Sequence, residues 1–144
     1  MPTYSKDTGD LFVELKRERN VEDYRARNQT EFTVPLHEYL SNLIESKGLD
    51  KRDVVAASQL NSTYAYHILS GTRKNPSRPK LLALAIAMGL NVDEVQYLLR
   101  YAKQGLLYPR NPWDSTIIFA IEQKLTVMQT NELLYRLGET ELLG

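Results

Sequence analysis

Apolar residues recur along this chain at three- and four-residue spacing, and no segment alternates with period two. The pattern predicts helices throughout and no strands. The firmest stripe is Leu36, Tyr39, Leu40, Leu43 and Ile44, one face of a helix that opens near Thr33. Pro35 is tolerated in its first turn, and Gly48 ends it at a left-handed cap position. Asp50 then reads as the N-cap of a second helix with Val54, Val55, Ala57 and Leu60 on its apolar side. Asn61 is the next cap and opens a helix over residues 62–69. Ala65, Ile68 and Leu69 point one way, and Ser62, Thr63, Tyr66 and His67 are left on other faces; Gly71 stops it. Ser77 caps a fourth helix carrying Leu81, Leu82, Leu84, Ala85 and Met88, which ends at Gly89. Asn91 with Glu94 is a reciprocal capping pair for a fifth, whose buried side is Val95, Leu98 and Leu99.

Ahead of these five helices the apolar signal thins. Residues 1–9 read as a polar end, Asp10 as the cap of a short helix bearing Leu11, Phe12 and Leu15, and Asn20 as the cap of one or two further turns. The first 32 residues hold seven acids against six bases, which describes a charged, solvated arm. Behind the five helices the pattern repeats. A shift of 35 residues lays Leu82–Ile86 over Ile117–Ile121, Leu90–Glu94 over Leu125–Gln129, and Leu98-Leu99 over Leu133-Leu134. Asn111-Pro112 is a helix opening and Thr126 with Gln129 a capping box, so residues 111–138 read as a second helical hairpin stacked on the first.

Composition narrows the class of protein. With 42% hydrophobic and 25% charged residues in 144, a core can form and disorder is not expected. No apolar run reaches membrane-spanning length, residues 1–10 lack the apolar middle of a secretory signal, and the default compartment is the cytoplasm. Zero cysteines exclude disulfides and thiolate metal sites. His37 and His67 are the only histidines, and there is no Gly-rich phosphate loop or paired-His spacing. No nucleophile, base and orienter stand together either, so no enzyme, cofactor or metal is expected. Net charge is zero, yet between Gln59 and Lys80 lie Arg73, Lys74, Arg78 and Lys80 with no acid among them. Such a local basic edge on a neutral protein fits site-specific DNA contact, and it also fits a solvated loop.

From about Leu36 to Leu99 the chain resembles the Xre-type, lambda-repressor-like helix-turn-helix DNA-binding family. The residues that carry the likeness include Leu49-Asp50, Leu60-Asn61, Ile68, Gly71 and the Arg73-Lys74-Asn75-Pro76-Ser77 turn. Leu81, Leu82, Leu84, Ala85, Met88-Gly89-Leu90 and Val92-Asp93-Glu94 complete it. The family usually has Gln where Lys51 stands and Gly where Gln59 stands, so Gln59 is asked to accept an unusual backbone conformation for a non-glycine residue. Tyr64 and Tyr66 are bulkier than the usual small or polar residues, and Val54-Val55 replace a Leu-Ala pair.

The resemblance implies an all-α protein: a five-helix lambda-repressor-like helix-turn-helix bundle at 33–104. Added to it are an N-terminal helical arm at 1–32 and a C-terminal helical hairpin at 105–144. It further implies a bacterial or phage-like transcriptional regulator that binds double-stranded DNA with the helix at 61–70 in the major groove, often as a homodimer. By position, Ser62, Thr63 and His67 are the base-contacting candidates. Lys51, Tyr64, Tyr66, Arg73, Lys74, Arg78 and Lys80 are the phosphate-contacting ones. Leu106, Leu107, Trp113, Leu142 and Leu143 remain to close the core or to form a dimer contact. The competing reading is a protein-interaction module that kept the helix-turn-helix scaffold without DNA binding and uses the Tyr-rich helix on a protein partner.

Overall fold

The computed structural model describes residues 4–143, and every regular element among them is helical. They fall into two compact units divided after Pro35, three residues beyond the boundary the charge pattern suggests.

The first unit contains α1 (Thr8–Arg17), α2 (Val21–Arg27) and a 3₁₀ turn (Gln29–Glu31). Asp7, not Asp10, caps α1: its carboxylate accepts the Asp10 N–H at 2.8 Å, which moves the helix start three residues upstream. Asn20 caps α2 as the pattern predicts. α1 buries no residue and Phe12 is 59% exposed, so apolar packing in this unit is confined largely to buried Tyr24 of α2, edge-on to Phe32. A polar network adds to it. Buried Asn28 accepts from Lys6 Nζ at 2.7 Å and donates to Glu14 at 3.0 Å, while Arg27 bridges Glu14 and Glu18. Hydrogen bonds from Asn28, Lys6 and Arg27 hold the Glu14 carboxyl down at about 2.

The second unit contains α3 (Leu36–Ser46), α4 (Lys51–Ala57), α5 (Ser62–Ser70), α6 (Arg78–Ala87), α7 (Val92–Tyr101), α8 (Pro112–Glu122) and α9 (Val127–Arg136). α3 starts after Pro35 rather than at Thr33, because the proline ring drives the residue before it out of helical backbone. α5 packs on α3 and α4, α6 on α4, α7 and α9, and α8 on α7 and α9. Leu40, Ile68, Leu81, Leu82, Leu84, Leu98, Leu99, Ile117 and Leu134 are all but inaccessible and form the core. Each such side chain stabilises the fold by about 1.5–3 kcal/mol relative to exposure. Leu107 and Leu142 join that core, whereas Ala57, expected on the apolar side of α4, is exposed because α4 ends there.

The 35-residue repeat extends to the backbone. α6 and α8 end in left-handed residues at equivalent positions, Gly89 (φ 70°) and Lys124 (φ 56°). α7 and α9 end likewise, at Lys103 (φ 59°) and Gly138 (φ 75°). In each case the following N–H reaches back to a carbonyl of the last turn: Leu90 to Ala85, Leu125 to Ala120, Gln104 to Leu99, Glu139 to Leu134. Both capping boxes are formed. The hairpins α6–α7 and α8–α9 pack on each other through α6 with α9 and α7 with α8.

Candidate nucleic-acid interface

The polar face of α5 is placed by the turn that precedes it. Ser58 is buried; its hydroxyl donates to the Val55 carbonyl at 2.7 Å and accepts the Leu60 N–H at 3.3 Å. Gln59 takes φ 60°, the left-handed conformation that the turn demands of a non-glycine residue. The Asn61 side chain then accepts the Tyr64 N–H at 3.1 Å and starts the helix. Ala65, Ile68 and Leu69 anchor α5 in the core, leaving Ser62, Thr63, Tyr66 and His67 exposed. Ser62 and Thr63 stand in the first turn with side chains that bond no other described residue.

Gly71 ends α5 at φ 86°, and a Cβ there would sit 2.6 Å from His37 Nδ1, so both backbone and space require glycine. The loop then turns back, with the Arg73 N–H donating to the His67 carbonyl at 2.9 Å. This fold-back lays the Arg73 guanidinium 4.5 Å from the centre of the Tyr64 ring. Lys80, from the first turn of α6, places Nζ 4.0 Å from the same centre. The electron-rich face of Tyr64 thus gathers two cations beside the polar ridge. Neither cation forms an ion pair among the described residues, and residues 54–92 contain no Asp or Glu. Lys51 and Lys74 are exposed and equally without a carboxylate partner among those residues.

Arg78 is placed differently from the other candidates. Its Nε donates to the Gly105 carbonyl at 2.9 Å. Nη1 and Nη2 form a fork on Asp114 at 2.9 and 3.0 Å, and Nη2 also reaches the Leu106 carbonyl at 3.0 Å. Four of its five N–H donors are therefore engaged inside the fold. Asp114 is buried; desolvation pushes its carboxyl up, but the Arg78 fork and the Tyr108 N–H outweigh it and hold the group below its ordinary value. Ser77 occupies the N-cap position of α6 but makes no capping hydrogen bond. The Pro76 carbonyl is instead held by Gln104 Nε2 at 3.2 Å.

The structure thus brings together Tyr64, Arg73 and Lys80, sets Ser62, Thr63, Tyr66 and His67 out to solvent, and binds Arg78 to the second hairpin. Asp114 and Gln104 were not singled out by sequence reasoning. Only an acid in the first turn of a helix marked Asp114, and nothing local linked it to an arginine 36 positions earlier. No described group of His, Asp and Glu is arranged to hold a metal ion, and no described helix is long and apolar enough to cross a membrane. Against family models, curated proteins and solved structures the chain finds no match.

Proposed function

We propose that this protein is a sequence-specific DNA-binding transcriptional regulator in which α4 and α5 act as the helix-turn-helix and α5 enters the major groove. One observation carries the reading: the exposed polar ridge of α5 lies beside the Arg73 and Lys80 cations, which lack any carboxylate partner among the described residues. Ser62, Thr63 and His67 are then the base-reading groups, His67 as a donor to a guanine acceptor. Lys51, Arg73, Lys74 and Lys80 neutralise phosphates, and Tyr66 offers a hydroxyl to the backbone. Tyr64 orients the two cations over its ring and presents its own hydroxyl beside them.

The test is fluorescence anisotropy with duplex DNA from a random pool, across a series of salt concentrations. Affinity is expected to fall steeply with salt, and alanine at Arg73 and Lys74 should flatten the log–log slope by about 0.9 for each lost phosphate contact. His67→Ala should leave that slope unchanged and relax base preference in fragments selected from random DNA. Absence of binding at low salt, or binding without salt dependence, would defeat this reading in favour of the protein-interaction module.

A further inference from the structure

Where the turn between α6 and α7 meets the turn between α8 and α9, a cavity of about 300 Å³ lies between the two copies of the repeat. Equivalent positions of both copies form its apolar wall: Ile86 and Ile121, Leu90 and Leu125. Leu90 and Ile121 are buried, and Ile86 and Leu125 half-buried. The copies differ in what they add at the rim. The first has Ala87 and Gly89; at the same positions the second has Glu122 and Lys124, both exposed and both lining the cavity. Neither forms an ion pair among the described residues, and at a spacing of two positions the opposite charges do not face each other. Asn91 also lines the cavity. Its side-chain oxygen is committed to the Glu94 N–H at 2.8 Å, while its Nδ2 donates to no described residue.

We propose that this cavity binds a free α-amino acid with an apolar side chain. Lys124 and Asn91 Nδ2 take the α-carboxylate, Glu122 takes the α-ammonium, and the aliphatic wall takes the side chain. The volume is at the small end of ligand pockets, which suits a single amino acid rather than a peptide or a large cofactor. The charges select the zwitterion. A simple anion would meet Glu122 and a simple cation would meet Lys124, while an uncharged hydrocarbon would desolvate both groups and pair neither. A zwitterion pairs both and is neutral overall. The ligand would touch both turns, so binding ties the two hairpins together and raises the melting temperature. The inference does not rest on DNA binding and is measured without DNA.

Isothermal titration calorimetry of the full chain with L-leucine, L-valine and L-phenylalanine tests it. At least one should bind with a Kd below about 1 mM, within reach of a ligand of roughly ten heavy atoms. Leucinol, which lacks the carboxylate, and isocaproate, which lacks the ammonium, should each bind at least about tenfold more weakly than L-leucine, and glycine should not bind. Lys124→Met and Glu122→Gln should each weaken amino-acid binding by about 10- to 100-fold, with an unchanged helical spectrum because both positions are exposed. Lys124→Met should also erase the preference for L-leucine over leucinol. Absence of binding by all three amino acids overturns the proposal. So does an analogue that binds the wild type as tightly as L-leucine, or a variant at either charge that binds as the wild type does.

Discussion

Replacing Asp114 by alanine removes the group on which the second hairpin and the start of α6 converge. The side chain is largely buried and takes three hydrogen bonds, two from the Arg78 fork and one from the Tyr108 N–H. Breaking a buried pair by deleting one partner costs about 3–5 kcal/mol, because the other charge is left uncompensated. Arg78 keeps the Gly105 and Leu106 carbonyls and is 23% exposed, so water recovers part of that cost, and about 2–3 kcal/mol is expected. For a cooperative unit of this size the midpoint should drop by about 8–12 °C. Thermal and urea unfolding followed by circular dichroism at neutral pH measures it. Arg78→Met combined with Asp114→Leu should cost less than the sum of the two single changes, since neither charge is then stranded. The pair also has a pH signature. The folded carboxyl lies below its unfolded value of 3.8, so its contribution is fully present above that value and is lost as pH falls through the folded one. A cost below about 0.5 kcal/mol for Asp114→Ala, or strictly additive single changes, would refute the account.

Gln59→Gly should stabilise the protein by about 0.5–1 kcal/mol in the same unfolding assay, because glycine takes the left-handed conformation without the penalty glutamine bears. Gly71→Ala should cost at least about 2 kcal/mol, since its Cβ would collide with the His37 ring as well as strain the backbone. Acid should loosen the first unit selectively. The Glu14 carboxyl sits at about 2 against 4.5 when free, so its stabilisation holds above 4.5 and fades as pH falls towards 2. Amide resonances of α1 and α2 should broaden over that interval in the wild type, whereas Glu14→Gln should already lack that transition.

Much of the second unit was legible because its signals are local. A stripe such as Leu36–Ile44, the caps Asp50 and Asn61, and the two capping boxes each fix an element within a turn of themselves. The repeat was legible for the same reason, but its left-handed lysines, Lys103 and Lys124, were not, because nothing local marks a lysine for that conformation. The first unit is less legible: Asp7 and Asp10 are equally good caps by type, and the apolar positions Leu11, Phe12 and Leu15 lie downstream of both, so they do not choose between them.

The basic loop shows where locality fails. Arg73 and Arg78 are five positions apart in one acid-free stretch, and sequence assigns them one role. What separates them is distant in the chain. Arg73 folds back onto Tyr64 of its own helix-loop segment, while Arg78 finds a carboxylate 36 residues later. That difference orders the site mechanically. Arg78 fixes the start of α6 to the second hairpin, Gln104 holds the Pro76 carbonyl, and Gly71 locks the other end of the loop under His37. Between those anchors, Arg73 and Lys74 remain available to an anionic ligand. If the anchors act this way, Arg78→Lys should weaken DNA binding through a misplaced loop: lysine cannot make the fork, yet it keeps the charge. The salt slope should then stay at the wild-type value while affinity falls, the opposite of what losing Arg73 does. A reduced slope for Arg78→Lys would mean that Arg78 itself meets phosphate and that the anchoring account is wrong.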